Sequence, residues 1–130
     1  MLCVNSYPRA YIEQCRSRLT AQLAAYDGLT TSTEFDQRFF ENLVLVLEMS
    51  FVHRTRGMEL KDGNPLNEVR MLAASILQND GVLAADKTIK YQPSKSVLGL
   101  EIGERIRLDG ESFRRLSEAF FAEIERKFGG

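Results

Sequence analysis

The sequence predicts a mainly α-helical protein. It reads as a single four-helix-bundle-like domain over residues 1–130, with a short irregular or β-hairpin insertion around residues 86–108. Three observations carry this. Four stretches place apolar residues every three or four positions, the period of a helix buried on one side. Each stretch is bounded by residues that start or stop helices. Between the third and fourth stretches the apolar period shortens to alternate residues, as in extended chain.

The first stripe is Ile12, Cys15, Leu19, Leu23 and Tyr26. Pro8 precedes it, where a helix accepts proline because the missing N–H would lack an intrahelical partner anyway. Asp27-Gly28 ends it. In the polar run that follows, Ser32 or Thr33 can cap a second helix, and Glu34 and Asp36 suit its positive end. From residue 34 to about 56 there is neither glycine nor proline, enough for about six turns. Phe40, Leu43, Val44, Leu47 and Phe51 share one face, Phe35, Phe39 and Val46 cover the adjoining one, and Glu41 and Glu48 mark the clearest polar strip. A helix apolar round so much of its girth calls for several neighbours, so this one is the expected centre of the fold.

Lys61-Asp62-Gly63-Asn64-Pro65 reads as a turn and a helix start, with Asn64 as N-cap and Pro65 as first residue. Leu66, Val69, Leu72, Ala73, Ile76 and Leu77 form the third stripe, closed by Asn79-Asp80-Gly81. Residues 88–91 and 97–102 read as extended, and Ile106 and Leu108 alternate with arginines, so one or two short strands or a hairpin are expected. Asp109 caps a last helix with Phe113, Leu116, Phe120, Ile124 and Phe128 on one face.

At 44% apolar and 27% charged, the composition is that of a folded globular domain. The net charge of −1 supplies no global field to draw in nucleic acid or anionic lipid. Lys87 to Lys95 interleaves three lysines with Tyr91 and reads as a solvated loop, so nucleic acid is not an expected partner. No membrane association is expected either, because the longest strongly apolar run, residues 43–47, is far short of the roughly 20 residues that span a bilayer. The opening MLCVNSYPR lacks the basic flank of a signal peptide. Cys3 and Cys15 stand at no metal-type spacing and form no disulfide framework, which points to reduced thiols in a cytoplasmic protein.

Many of the strong polar groups gather in HRTRGMELKDGNPLNEVR, residues 53–70. His53, Arg54, Arg56, Asp62, Asn64, Glu68 and Arg70 are the candidate ligand-binding residues. Arg54 shares a helical face with Phe40, Leu47 and Phe51, so its guanidinium is expected to be buried. It then needs a carboxylate or carbonyl from residues 57–70, because an unpaired buried charge costs several kcal/mol. Asp62 and Glu68 lead, and Glu59 is a further option. The reading ranked first is an ion pair that pins the turn onto the bundle. The alternative is a pocket for a small anionic ligand, walled by Arg54, Arg56 and Arg70 and roofed by the third helix's free N–H groups.

His53 has no second histidine and no carboxylate three or four positions away, so it reads as a hydrogen-bonded structural residue. No catalytic residue, metal ligand or cofactor is expected. Cys15 falls on a core stripe, and the glycines are too scattered to cradle a phosphate. The run HRTRGMELKDGNPLNEVRML, with FFENLVLVLEMSFV before it and ADKTIKYQPSKSVLGLEIGERIRL after it, resembles a family of small actinobacterial proteins of unknown function, over most of the chain from Phe39 onward. That resemblance implies no activity, cofactor or catalytic residue. Apolar residues off the main stripes, on helix two and at Met71 and Phe121, predict a non-enzymatic structural or protein-interaction homodimer. The alternative is a binding protein or enzyme that uses residues 53–70 on a small anion.

Overall fold

Helix two touches each of the other helices, but its adjoining face is not fully covered, since Phe35 and Val46 stay exposed. The computed structural model describes residues 6–55 and 58–129. Its four helices are α1 (Arg9–Asp27), α2 (Thr33–Leu47), α3 (Pro65–Gln78) and α4 (Gly110–Phe128). The chain continues beyond α2 without a break, through a π-helical turn at Glu48–Val52 and a last α-helical turn at His53–Thr55. No helix among the described residues is long and apolar enough to cross a membrane.

Local chemistry sets the helix starts. Ser32 Oγ accepts the Phe35 N–H at 3.1 Å. Asp109 and Ser112 cap α4 reciprocally, each side chain accepting the other's backbone N–H at 2.8 and 3.0 Å. Asn64 Oδ1 accepts from the N–H groups of Leu66 and Asn67 at 2.9 and 3.2 Å, with Pro65 first in the helix. Those two donors have no intrahelical partner, so Asn64→Ala is expected to cost about 1 kcal/mol. Urea denaturation measures this; an unmoved midpoint would show that the cap contributes nothing.

The helices run up, down, up and down. Tyr26, at the end of α1, packs on Phe39 and Phe40 near the start of α2, with ring centroids 5.3 and 5.0 Å apart. At the other end of α1, the Tyr11 hydroxyl donates to the Ser50 carbonyl at 2.5 Å, and the Tyr7 hydroxyl, just ahead of the helix, donates to Phe51 at 2.7 Å. Ion pairs Arg16–Glu125 (2.9 Å) and Asp27–Arg114 (2.7 Å) tie α1 to α4. α2 and α4 meet through Phe40–Phe113 and Phe51–Phe120, at 5.4 and 5.7 Å. α3 closes the far side: Arg70 reaches Val52 at the end of the α2 helical run, and Gly81, just beyond α3, lies beside Glu41. α1 is the least embedded helix, with Ile12 and Leu19 its buried residues.

Of the two forms expected for residues 86–108, the chain adopts the irregular one; among the described residues there is no strand. The segment leaves α3, reaches the 61–63 turn, where the Lys90 N–H donates to Lys61 (2.9 Å), and returns to α4. Only its root pairs as a hairpin would, through an isolated bridge Val82–Arg105 and bonds from Leu83 to Glu104 (2.9 Å) and Ile106 to Gly81 (2.8 Å). The alternating apolar residues are buried as expected: Ile89, Ile106 and Leu108 enter the core. A ladder does not form because side chains take its hydrogen bonds. The Gln37 amide donates to Ile106 O (2.9 Å) and accepts from the Leu108 N–H (2.7 Å). The Glu68 carboxylate accepts the N–H groups of Val97 and Leu98. Backbone groups satisfied this way have no need of a second strand.

Candidate functional site

The π turn decides where the polar stretch points. It closes i→i+5 bonds and so turns the chain less per residue than an α-helix does. The Ser50 and Phe51 carbonyls in it take the hydroxyls of Tyr11 and Tyr7. Beyond it, His53 and Arg54 are rotated away from the faces that a continuous α-helix would give them.

For Arg54 this overturns the expected acid partner. Its guanidinium lies over the rings of Tyr7 and Tyr11, 5.5 and 5.2 Å from their centroids. No ion pair to a carboxylate forms among the described residues, and its Nε is buried without a hydrogen bond. The ring faces carry the negative end of the aromatic quadrupole and stand in for the acid. Burial pushes both tyrosine hydroxyls above their ordinary range, and Arg54 opposes it. His53 does find a carboxylate: Nδ1 lies 3.5 Å from Glu48 Oε2, five residues back. An α-helix separates such a pair by well over 100°, whereas a π turn brings them together.

The buried ion pair expected of this stretch exists with other partners. Glu59 is 0% exposed, and its Oε1 accepts from Arg70 Nη2 at 2.7 Å. Its Oε2 accepts the Thr55 hydroxyl, which also lies 2.9 Å from Val52 O. The Glu59 carbonyl accepts from Lys127 Nζ (3.0 Å) and Asn64 Nδ2 (2.8 Å). One residue thus joins the end of the α2 run, the turn, α3 and the end of α4. Burial pushes the Glu59 carboxyl up, but the Thr55 bond, a backbone N–H and Arg70 outweigh it and hold it below the ordinary value.

The remaining candidates are held separately. Exposed Asp62 accepts from Asn64 Nδ2 at 2.7 Å, a bond that lowers its carboxyl pKa. Glu68 is buried and accepts from Val97 N–H (2.8 Å) and Leu98 N–H (3.0 Å); desolvation nevertheless holds its carboxyl above the ordinary value. Arg56 lies outside the described residues. Asn67, not among the expected residues, is fully buried and spans the turn, donating to Leu60 O (2.9 Å) and accepting from the Gly63 N–H (2.8 Å). Its clue in the sequence is an asparagine inside a first helical turn, where a side chain that competes for backbone bonds is disfavoured. Leu60 adopts φ 70°, costly for a branched residue, and position 63 admits only glycine, because its φ is 89° and a Cβ there would run into Lys90 O. The turn is held from inside by Asn67 and the Glu59 carbonyl, while Asp62 stays exposed.

Among the described residues, then, Arg54 rests on the N-terminal tyrosines and Arg70 on Glu59, so the two guanidinium groups are held by separate partners. A cleft of about 520 Å³ lies between α1 and α4, over Leu19, Leu23 and Phe121. A second, of about 720 Å³, lies between the start of α2 and residues 105–109, and Arg38, Arg105 and Arg107 share it with Glu34, Glu41, Asp80 and Asp109. Its mixed charges favour neither sign of ligand.

The outer face of α2 is the other candidate. Phe35, Phe39, Asn42, Val46 and Met49 recur at alternating intervals of four and three, which puts them in one line along a helix. Phe35, Val46 and Met49 are 45%, 41% and 58% exposed. Phe39 is partly covered, stacked between Phe35 (5.8 Å) and Tyr26 (5.3 Å). No charged side chain interrupts the line. Comparisons of the chain with protein-family models, with curated proteins and with solved structures find no match.

Proposed function

We propose that this protein is a non-enzymatic helical interaction module that works as a homodimer joined through the outer face of α2. The observation that carries this is the uncharged, largely apolar line from Phe35 to Met49, presented along α2 and into the π turn that continues it. Other exposed apolar residues, such as Leu29 and Leu77, stand on other elements, as on many monomers. A line on a rigid helix is a preorganised surface, and association over it orders few side chains. At about 1.5 Å per residue the line from Phe35 to Met49 is about 21 Å long, which gives an interface at the small end of the range, so a weak dimer in the micromolar range is expected. The inward bonding of Thr55, Glu59, Asn67 and Glu68 supports an architectural role for that part of the stretch over the small-anion reading. It fixes the lower end of the α2 run and so the surface above it.

Sedimentation velocity tests the reading. The wild-type chain is expected to dimerise at tens of micromolar. Val46→Glu with Met49→Glu is expected to give a monomer with unchanged helical circular dichroism, because it places charges in an apolar contact. A wild-type chain that stays monomeric at high micromolar concentration overturns the proposal.

A further inference from the structure

Residues 91–100 form a loop bonded mainly to itself. The Tyr91 hydroxyl donates to Leu100 O at 2.5 Å, and Ser96 Oγ accepts the Gly99 N–H at 2.8 Å while donating to Pro93 O at 2.9 Å. None of its residues is fully buried, although Val97, Leu98 and Leu100 lean on the core. Among the described residues, two helix side chains bond to it, and they meet at Val97. Glu68 of α3 accepts the N–H groups of Val97 (2.8 Å) and Leu98 (3.0 Å), and Arg115 of α4 donates to Val97 O (3.1 Å). A self-bonded loop with few buried apolar contacts is the kind of segment that opens ahead of the rest of a fold.

The fastening is made by a carboxylate taken out of water. Glu68 is 3% exposed and forms no ion pair among the described residues. The charged and titratable groups acting on it are Arg115 of α4 and Tyr91 of the loop, with Glu101 and Glu104 also acting on that tyrosine. Two N–H bonds and Arg115 do not offset the lost hydration, so burial holds the carboxyl above its ordinary value. An opened loop returns it to water and to that ordinary value. Closure therefore takes up a proton. The hold is fullest below the ordinary value and weakens as pH rises through the raised one.

We propose that residues 93–100 are a strap clipped to the bundle at Val97 and Leu98, which opens without unfolding the helices and opens more readily at neutral pH than in acid. Its opening bares Glu68, a carboxylate otherwise hidden on the first turn of α3.

Native-state amide exchange on the full chain, corrected for the pH dependence of the exchange chemistry itself, tests this. The Val97 and Leu98 amides are expected to open roughly tenfold or more as often as the core amides of α2 and α4. That ratio is expected to grow from mild acid to neutral. Glu68→Gln, which keeps an acceptor oxygen but cannot ionise, is expected to remove the growth. Arg115→Met, at an exposed site, leaves Glu68 in place without its opposing cation and is expected to steepen it. The second variant decides the matter should the first fail to fold. Val97 and Leu98 amides that open only as often as the core overturn the strap. A pH dependence that survives Glu68→Gln, or that Arg115→Met leaves unchanged, overturns Glu68 as its proton-linked clip.

Discussion

Glu59→Ala is expected to lower stability by about 3–5 kcal/mol, measured as the loss in denaturation midpoint, because removing one member of a buried ion pair strands the other. The lower end is favoured, since Arg70 is 28% exposed and keeps some access to water. The loss reaches beyond Arg70. The Thr55 hydroxyl gives up its bond to the carboxylate, and the joint between the α2 run and α3 loses its centre. Glu59→Met combined with Arg70→Met is expected to be milder than Glu59→Ala alone, because no charge is then left behind. Equal losses from the single and double variants would show that the pair is not the source of the effect.

The same residue shapes the response to acid. The folded-state pKa of Glu59 lies below its unfolded value, so its stabilisation is fully present above the unfolded value and is lost as pH falls through the folded one. Glu68 acts in the opposite sense. Its folded pKa is raised, so the fold loses stability as pH rises from the unfolded value through the folded one. Midpoints followed from neutral into acid conditions are expected to fall more steeply in the wild type than in Glu59→Gln, which retains the Glu68 contribution alone of the two. Parallel curves would show that Glu59 does not titrate differently on folding.

The four helices were legible because their signals are local. Ser32, Asn64 and Asp109 act within one turn of themselves, and a stripe such as Phe113, Leu116 and Phe120 needs only the period of the helix. The site was less legible because its geometry depends on distant partners. Nothing in Glu48-Met49-Ser50-Phe51-Val52 marks a π turn. It is held by hydroxyls from Tyr7 and Tyr11, about 40 residues earlier in the chain. With an α-helical period assumed throughout, His53 has no acid, and that assignment fails at that one turn; Arg54 is half-buried with its Nε buried, but it rests on Tyr7 and Tyr11 and not on an acid. Glu59 was a secondary option for the wrong arginine. Its actual partner, Arg70, sits on the next helix, and Lys127 comes from the far end of the chain. The extended segment fails in a different way. Alternation correctly places Ile106 and Leu108 inside, but pattern alone does not tell whether a strand or the amide of Gln37 will take their backbone bonds.

Phe51→Ala is expected to cost about 3–5 kcal/mol, as for other fully buried phenylalanines, and to loosen α1 before the rest of the fold. Phe51 is fully buried on the π turn, with ring centroids 5.0 Å from Tyr7, 5.4 Å from Tyr11 and 5.7 Å from both Phe120 and Phe121. It is the surface on which the N-terminal tyrosines seat, and those tyrosines hold Arg54 and cap the turn's carbonyls. α1 is otherwise held by its buried Ile12 and Leu19, its partly buried Cys15 and Leu23, and the ion pairs of Arg16 and Asp27 to α4, with an open cleft along its flank. Removing the ring therefore empties the centre of the lower attachment, while the upper one, Tyr26 on Phe39 and Phe40, stays intact. Native-state amide exchange is expected to quicken in the first turns of α1 and across the π turn, with α3 least affected. If exchange in α1 and α3 rises equally, the loss is global and Phe51 acts as core volume. If the midpoint moves by less than about 1 kcal/mol, the neighbouring aromatic rings close over the gap and α1 does not depend on it.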